Sequence, residues 1–530
     1  GPLRRAFVHP PRPHPGPPVT LLPLLATLPL AVPSLPGASQ ADPVPDLLVD
    51  LPAPASLPLQ GPVVRHRTVA VRTELLADAA AGGAPLTLEP FPGQRFDVLD
   101  VRVEPAWGGG RVYWGRLAEA GDDDAGSLAV SVYEDAVSAS IRLDSTRLDR
   151  GLISLEPAGP GLHRVIEIDE GRMPTCGTGS EHHVVPPTEP SAGAGSQAST
   201  KAASNLPTVD ILVAYTPQAR AGQGSTSAIL ARINLAVSES NNGYAQSDVD
   251  QRLRLAHAYE TPGYVETGSF GTELSRFRAQ GDGHMDEVHS LRVQYGADAC
   301  CLIVNGSQYC GIAYVMGAPS QGFQSNAFQV TARACATGYY SFAHEFGHVF
   351  GSHHDKANAG NAYWPYGYGW RTANGAYRTV MAYAPGSRVN RWSNPNKTFN
   401  GQVLGSPGKA ENYRSLNNNK DVVSQWRCAV PQSYCTGKVT SAGCTPSVDT
   451  TGVPAASGAD DFLISANDTL ASKPGLFFSG TSGPAALPFS GGTLCVQPPL
   501  TRGPTLLSSG PVDCSASYAF PFTQAYALSK

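Results

Sequence analysis

The stretch of sequence that decides the fold is SFAHEFGHVFGSHHD, Ser341 to Asp355, which holds four of the 13 histidines in this chain of 530 residues. His344 and His348 are four residues apart, so on an α-helix both imidazoles lie on one face, one turn apart. Glu345 directly follows the first of them. This is the pattern H-E-x-x-H, in which two histidines bind zinc and the glutamate acts as general base. The spacing therefore predicts a helix with a metal site on one face.

The position of the third metal ligand follows from where this helix must end. A catalytic zinc ion takes three protein ligands and one water, and a ligand two turns further along the same straight helix would lie too far along its axis. Gly351 can end the helix and turn the chain back, because glycine adopts positive φ without steric cost. The third residue after it is His354. We therefore predict that His354 completes the site and that its neighbour His353 points to solvent or to the pocket wall.

Two alternatives are open for this stretch. One is a buried helix whose histidines are satisfied in the core, but the full pattern with Gly351 and His354 arises by chance in only about a few of a hundred thousand such sequences. The other is a zinc site completed by a glutamate from a second helix. After Glu345 the chain has one glutamate, Glu411, in an Asn-rich segment that we predict to be a loop. Its position argues against this second arrangement.

The string HEFGHVFGSHHD resembles the zinc signature of the metzincin proteases, H-E-x-x-H-x-x-G-x-x-H. Metzincins also have a methionine turn under the metal, and YRTVMAYAP supplies Met381, 27 residues after His354; the alternative is an ordinary core methionine. Asp355, directly after the third histidine, resembles the reprolysin-like (adamalysin-like) branch. Three further segments are similar to bacterial reprolysin-like enzymes, including the peptidyl-Asp metalloendopeptidases: CGIAYVM, FQVTARACATGYYSFAHE and RWSNPNKTFNG. The resemblance covers roughly residues 206 to 428.

This resemblance implies a mechanism and a set of site residues. One catalytic Zn²⁺ would be held by His344, His348 and His354, with Glu345 as general base and Met381 as the floor under the metal. The implied substrates are proteins or peptides.

Three further residues have roles that the resemblance leaves open. Tyr383, two residues after the methionine, resembles the astacin and serralysin pattern, in which this tyrosine binds zinc or stabilises the transition state. This is not usual in reprolysins, so Tyr383 is either a mechanistic residue or a tyrosine of the pocket wall. If the enzyme favours aspartate after the scissile bond, its pocket needs a cation. Arg388 and Arg391 are the candidates, and the alternative is that both lie in a solvated loop.

The segments around the motif alternate between strand and helix patterns, which indicates an α/β domain. Strands are predicted at 208–216, 252–259, 297–305 and 326–334, and helices at 225–245 and 273–296. The resemblance implies a mixed sheet above the zinc helix. Its edge strand, around Gly311 to Met316, would bind substrate by strand addition.

The whole chain is predicted to be multidomain. Arg4, Arg5 and Arg12 precede an apolar run and a small-residue exit before Asp42, which is typical of a secretion signal; a Pro-rich disordered leader is the alternative. The predicted parts are a signal or leader at 1–41, a β-rich propeptide at 42–183, a Pro/Ser/Ala/Gly linker at 184–205, an α/β (α+β) metzincin catalytic domain at 206–430 and an all-β, sandwich-like, disulfide-containing module at 432–530.

Ten cysteines are typical of an oxidising compartment. Five lie in the catalytic region and four beyond it, while Cys176 stands alone upstream. It follows GLISLEPAGPGLHRVIEIDEG, which is similar to the end of reprolysin-like propeptides, near the place where these carry a cysteine switch. A thiolate there would take the coordination site of the water and block the enzyme. The alternative is a disulfide between Cys176 and the leftover cysteine of the catalytic region.

Composition argues against two classes of partner. Charged residues make up 15% of the chain and the net charge is −5, so no nucleic-acid surface is indicated, and no unbroken apolar run is long enough to span a membrane. We predict a secreted, extracellular zinc endopeptidase made as a zymogen. The alternative is a surface-binding or adhesion protein whose metzincin domain is inactive or processes only itself. In that case the C-terminal module would carry the function by contacting a surface or a glycan.

Overall fold

The structure is a computed structural model of the chain. It describes residues 44–52, 59, 61–83, 85–119, 122–143, 151–178, 184–185, 206–427, 437–451, 460, 462–480, 484–523 and 525–526. The predicted leader at 1–41, nearly all of the predicted linker, Cys428 and Cys435 lie outside these residues. Among the residues that are described, no helix is both long enough and apolar enough to cross a membrane.

Residues 48–168 form one antiparallel sheet of nine strands. The strands are β1 Leu48–Asp50, β2 Val63–Val71, β3 Leu86–Leu88, β4 Phe96–Pro105, β5 Arg111–Glu119, β6 Asp122–Tyr133, β7 Ala136–Leu143, β8 Gly151–Gly159 and β9 Leu162–Ile168, and helix α1 spans Thr73–Ala80. Their order in the sheet is β1-β2-β9-β8-β7-β6-β5-β4-β3. Alternate residues such as Leu128 and Val130 enter a core with Ile141 and Val165, as the period of two in a strand requires. The region is β-rich, as its alternating sequence predicts.

A second, mixed sheet lies further along the chain. The next strands are β10 Val184–Val185, β11 Thr208–Tyr215, β12 Arg252–Glu260, β13 Ala299–Val304, β14 Gly311–Ala313, β15 Val315–Met316 and β16 Phe328–Ala332. Five of them are ordered β12-β11-β13-β16-β14, and all neighbours are parallel except the edge strand β14, which runs antiparallel to β16. The strand β15 follows β14 and pairs in parallel with β10. The mixed α/β fold predicted for this region is confirmed.

The helices of this region agree with the sequence in part. They are α2 Pro217–Gln223, α3 Thr226–Ala245, α4 Phe270–Arg278, α5 Glu287–Gln294, α6 Ser341–Val349 and α7 Asn412–Val423. The prediction of a single helix over 273–296 is wrong, because the chain breaks between α4 and α5, where Gly281 and Gly283 take positive φ. The prediction of a loop around Glu411 is also wrong, since Glu411 directly precedes α7, whose Leu416 and Val423 are buried.

Helix α3 lies between the two sheets and is buried along most of its length. The nine-stranded sheet contacts it through polar groups as well as apolar ones. The indole N–H of Trp114 donates to the Ser238 hydroxyl at 3.1 Å, and Arg232 pairs with Glu156 at 2.6 Å. A helix covered on all sides shows little amphipathic pattern, which is why its sequence carries only a weak helical period.

Short strand pairs follow the helix that carries the motif. They are β17 His353–Asp355 with β18 Tyr368–Gly369, β19 Tyr377–Arg378 with β20 Ser387–Arg388, and β21 Asn394–Phe399 with β22 Gln402–Leu404. The C-terminal strands are β23 Ser447–Thr451, β24 Leu463–Thr469, β25 Pro474–Gly475, β26 Phe478–Ser479, β27 Pro484–Phe489, β28 Gly492–Val496, β29 Thr501–Arg502, β30 Leu506–Leu507 and β31 Ala516–Pro521. Of these, β23, β24 and β31 form a three-stranded sheet and the others pair two by two.

The structure shows how some of the cysteines are paired. Cys310 is bonded to Cys335 in the catalytic region, and Cys444 to Cys514 in the C-terminal region. Among the described residues, Cys176, Cys300 and Cys301 are free thiols, and all three are buried. The alternative in which Cys176 forms a disulfide is therefore wrong in this structure.

Candidate metal centre

Helix α6 presents His344, Glu345 and His348, and all three side chains are almost fully buried. The helix ends as the sequence predicts. Gly351 has φ +87°, its N–H donates to the carbonyl of His348 at 3.0 Å, and the N–H of Ser352 donates to the carbonyl of Gly347 at 2.7 Å. This pair of bonds is the Schellman ending of a helix, which needs a left-handed residue after the cap. The chain turns back here, and β17 carries His354 towards the helix.

The three predicted metal ligands come together through the same ring atom. The Nε2 atom of His354 lies 3.2 Å from Nε2 of His344 and 2.9 Å from Nε2 of His348. The three Nδ1 atoms face main-chain carbonyls instead, those of Val380, Ser352 and Asn358, at 2.8, 2.9 and 3.4 Å. A histidine that donates from Nδ1 to a carbonyl keeps a lone pair on Nε2, as a metal ligand requires.

The histidines are also in the protonation state that a metal needs. Burial lowers the pKa of His344 and of His348 well below the ordinary value, and burial lowers that of His354 to about 3. Neutral imidazole binds metal ions and imidazolium does not. The donor set therefore fits a transition-metal ion, with Nε2 of all three histidines directed at one point.

His353 behaves differently from its neighbour. It is buried, with its ring 6.0 Å from the ring of Tyr368, and its main-chain N–H donates to the carbonyl of Gly367. The side chain is not among the groups that converge on the metal position. The prediction that it points to solvent is therefore wrong, because the residue is buried.

Glu345 lies beside the three histidines and against the edge strand. A Cβ on Gly311 would lie 2.5 Å from Oε1 of this carboxylate, so only glycine leaves room for it there. Burial raises the pKa of Glu345 to about 8, although contacts with Cys176, Arg388 and Thr178 act in the opposite direction. Its Oε1 has no hydrogen-bond partner within the described protein. A buried carboxyl group with one oxygen open is suited to exchange a proton with a bound water.

Met381, the predicted floor of the site, packs against helix α6. It is fully buried, and its sulfur would lie 2.6 Å from a Cβ on Gly347, so the helix rests directly on the methionine turn. Trp392 packs at the same place. Any larger residue at position 347 would push α6 and its histidines away from this floor.

Cys176 reaches the same centre from the N-terminal region. Its sulfur lies 3.8 Å from Nε2 of His348 and 3.6 Å from Oε2 of Glu345, and the sulfur and the ligand nitrogens all lie within 4.8 Å of one another. The segment around it runs parallel to the edge strand β14. Gly177 donates to the carbonyl of Gly311 at 2.8 Å, and the amide of Cys310 donates to the carbonyl of Thr175 at 2.9 Å.

Comparison with known proteins identifies the family. Residues 206–409 match the model of the reprolysin-like metallopeptidases of family M12B. A peptidyl-Asp metalloendopeptidase of Stenotrophomonas maltophilia strain R551-3 is 36% identical over 415 residues, covering 74% of this chain and 96% of that protein. This chain belongs to the reprolysin-like metallopeptidases. Similar proteins of the same name come from Xanthomonas campestris (36% identity, covering 66% of this chain and 84% of that protein) and Pseudomonas fragi (34% identity, covering 36% of this chain and 100% of that protein).

The chain is thus a metalloendopeptidase, and its substrates are proteins or peptides. Tyr383 lines the site of the metallopeptidase, with its ring 4.2 Å from the ring of His354. Its hydroxyl donates to the main-chain carbonyl of Cys176 at 3.0 Å. Burial raises the pKa of this hydroxyl, so it remains a donor at neutral pH.

Asp355 connects the third histidine to the methionine turn. Its carboxylate accepts from the N–H of Tyr383 at 3.0 Å and pairs with Arg371 at 2.5 Å. In the sequence, Asp355 is notable only for its resemblance to the family. Its hydrogen bond with the N–H of Tyr383 depends on the tertiary structure.

The two candidate specificity arginines of the metallopeptidase, Arg388 and Arg391, lie in different surroundings. The guanidinium of Arg388 lies 4.3 Å from the ring of Tyr339, and its positive charge acts to lower the pKa of His344 and of Glu345. It is 4% exposed, its Nη1 donates to the carbonyl of Tyr339 at 3.0 Å, and its Nε has no partner. Arg391 instead donates to the carbonyl of Asn390 and lies over the ring of Phe399.

Three residues at or near the site, Thr178, Arg142 and Glu170, are marked by no pattern in the sequence. The hydroxyl of Thr178 lies 3.4 Å from Oε2 of Glu345 and accepts from the amide of Ala313 at 2.9 Å. Arg142 and Glu170, both from the N-terminal region, contact the main chain of Arg388. These contacts join residues more than a hundred positions apart, and no local pattern marks them.

Proposed function

We propose that this metallopeptidase is a secreted zinc endopeptidase made as a zymogen, in which residues 42–183 are the inhibitory propeptide. The convergence of three Nε2 atoms beside a buried glutamate supports the catalytic part of this proposal. Nitrogen and sulfur donors in a four-membered set are those that zinc prefers. The disulfides Cys310–Cys335 and Cys444–Cys514 and the secretion-like leader sequence fit export to an oxidising compartment.

The roles of the side chains follow from their positions. His344, His348 and His354 hold the ion through Nε2, and the carbonyls at their Nδ1 atoms fix the ring orientations. A bound zinc ion lowers the pKa of its water to about 7 and polarises the scissile carbonyl. Glu345 accepts the proton of the attacking water through its open oxygen and returns it to the leaving amine.

Tyr383 is proposed as a donor to the oxyanion. In this structure its hydroxyl already donates to a main-chain carbonyl next to the metal position, that of Cys176. A peptide substrate in the same cleft would present its own scissile carbonyl there. A neutral phenol with a raised pKa can stabilise developing negative charge without losing its proton.

Latency is proposed to come from Cys176. Its sulfur lies within 4.8 Å of the three ligand nitrogens, so with zinc bound it would serve as a fourth donor in place of the reactive water. The parallel pairing of Thr175–Gly177 with β14 also fills the edge at which a substrate strand would be added, and β10, at the start of the predicted linker, pairs with β15. The propeptide therefore would exclude the nucleophile through Cys176 and would compete with the substrate for the edge strand.

We expect Cys176→Ala to give the uncut chain activity. Removing the sulfur frees a coordination site for water, so hydrolysis of a short peptide by the intact full-length chain should rise at least about tenfold. The measurement is the rate with the linker verified as intact by mass spectrometry. The matched control is Cys300→Ala, which removes another buried free thiol that is not in the metal-binding group and should leave the chain latent. Equal latency in both variants would contradict the switch.

The specificity is proposed to be for aspartate, as the names of the relatives say of those proteins. Arg388 supports this because it is a buried cation with an unpaired Nε, and its charge acts on His344 and Glu345. A buried guanidinium strongly favours a carboxylate partner over a neutral group of the same shape. Arg391 does not face the metal and is not proposed for this role.

Replacing Arg388 by glutamine should therefore change selectivity more than activity. We expect kcat/KM for a peptide with aspartate after the scissile bond to fall about 10- to 100-fold, and that for its asparagine twin to change little. The ratio of the two rates is an internal control, because partial misfolding lowers both rates equally. Arg391→Gln should leave the ratio within about twofold of the wild type. A wild-type enzyme without acidic preference would rule out this role.

Activity itself is tested with the unmodified protein. Residues 42–530 are expressed and allowed to process, and casein hydrolysis is followed before and after chelation and again after zinc is restored. Activity lost to the chelator and regained with zinc supports the proposal. A folded, zinc-loaded, propeptide-free protein without activity would favour the alternative, a surface- or glycan-binding protein acting through its C-terminal module.

A further inference from the structure

Besides Cys176, the N-terminal region contacts the catalytic region through Glu170 and Arg142. Glu170 and Arg142 form an ion pair, with Nη1 of Arg142 2.6 Å from Oε1 of Glu170. Together they hold the main chain of Arg388 at both its polar groups. The N–H of Arg388 donates to Oε2 of Glu170 at 3.0 Å, and its carbonyl accepts from Nη2 of Arg142 at 2.8 Å.

The same carboxylate faces a cationic part of the catalytic region. Nη2 of Arg378 lies 3.9 Å from Oε2 of Glu170, and the guanidinium groups of Arg378 and Arg388 lie 5.3 and 4.3 Å from the ring of Tyr339. Both arginines are buried. In the described part of the chain, Glu170 is the one carboxylate within 4.0 Å of either guanidinium.

The charges at this place are balanced only while the N-terminal region is bound. Burial acts to raise the pKa of Glu170, but Arg142, the N–H of Arg388 and Arg378 together lower it below the ordinary value, so the group is ionised. Burial and the nearby charge of Arg388 lower the pKa of Arg378 to about 10, and Glu170 acts against them. The carboxylate of Glu170 thus stabilises the buried charge of Arg378, which the like charge of Arg388 destabilises.

Removal of the propeptide takes away both Glu170 and Arg142. The N–H of Arg388 then loses its acceptor, and Arg378 loses its carboxylate. A donor or a charge that stays shielded from water without a partner is unfavourable. Glu170 is six residues before Cys176, so it lies within about 20 Å of the metal position along the same segment. An acidic side chain of a bound substrate could restore the balance.

We propose that Glu170 occupies a carboxylate-binding subsite of the catalytic region, formed by the N–H of Arg388 and the guanidinium of Arg378, and that a second acidic residue of the substrate fills this subsite after the propeptide has left. The proposal rests on the proposed peptidase function and is separate from recognition of the first acidic residue by the side chain of Arg388. In the zymogen the propeptide would imitate the substrate's charge.

The first arm of the test uses the full chain with a specific cleavage sequence placed in the linker. After that cut, the chain is diluted, and the concentration at which activity appears gives the dissociation constant of the nicked propeptide. Glu170→Gln should raise this constant at least tenfold. The matched control is Glu167→Gln, which breaks a more exposed ion pair with Arg65 and should change the constant less than twofold.

The second arm needs no variant, so it is independent of any folding defect. The mature wild-type enzyme is given peptides with one fixed aspartate and a second acidic residue at each of the three positions on either side, each paired with an amide twin. At one position the acidic peptide should show at least a fivefold higher kcat/KM. Gains below twofold everywhere, or Glu170→Gln behaving like Glu167→Gln, would overturn the subsite. Comparing the single aspartate with asparagine tests the proposed function separately.

Discussion

Replacing Glu345 by glutamine is expected to lower kcat/KM about a thousandfold while leaving the metal content unchanged. Glutamine has the size of glutamate, so it fits the space beside Gly311 that excludes any Cβ there. It cannot accept the proton of the attacking water, and it cannot deliver that proton to the leaving amine. The loss should appear in kcat and in kcat/KM alike, because the proton is transferred in the transition state.

The measurement is hydrolysis of a short peptide by the processed enzyme, with zinc per chain determined on the same sample. The matched control is Glu411→Gln. Glu411 is the next glutamate along the chain, and it accepts from the N–H of Gly408 and pairs with Arg414, at the start of α7. Its variant should keep activity within about twofold. Activity of Glu345→Gln within tenfold of the wild type would show that another group is the base.

The second large effect is expected from the adjacent histidines. His354→Asn should weaken zinc binding more than about a hundredfold and abolish activity, because one of three protein ligands is lost. His353→Asn should retain the metal and most of the activity, since the ring of His353 packs near Tyr368 and is not in the convergent group. Two substitutions of the same type, one residue apart, thus separate ligation from local packing.

The readout for this pair is the chelator concentration that removes half of the zinc, with thermal unfolding of each variant as a check on folding. A small loss of stability is expected for His353→Asn, because the residue is buried. If His353→Asn loses zinc and His354→Asn keeps it, the ligand assignment is wrong. If both variants keep zinc, the metal is bound elsewhere and the convergence of the three Nε2 atoms does not reflect metal binding.

Much of the catalytic centre could be predicted from the sequence because its information is local. His344, Glu345 and His348 are fixed on one helix by the period of 3.6 residues, and Gly351 sets the turn that brings His354 back. The strands at 208–215 and 299–304 were predictable in the same way, from short apolar runs between turn signals. The choice of His354 over His353 needed only the count from the glycine.

Predictions from local sequence patterns were wrong where a turn or a contact with a distant segment determines the secondary structure. The pattern over 273–296 contains apolar residues at helical spacing, but two glycines with positive φ divide it into α4 and α5. Glu411 looked like part of a loop because asparagines have low helix propensity. Burial of Leu416 and Val423 in the core outweighs that preference in α7.

By itself, then, the sequence determined the family, and it predicted the metal-binding helix, the general base and the third ligand, since each depends on residues within a few positions of one another. Tertiary structure alone decided that Cys176 is a free thiol beside His348, that Arg388 is buried against Tyr339, and that Asp355 accepts from the N–H of Tyr383. It also placed Glu170 on the main chain of Arg388, 218 positions away. Contacts of this kind arise when separate sheets and loops pack together, and no periodicity within one segment records which distant segment will lie against it.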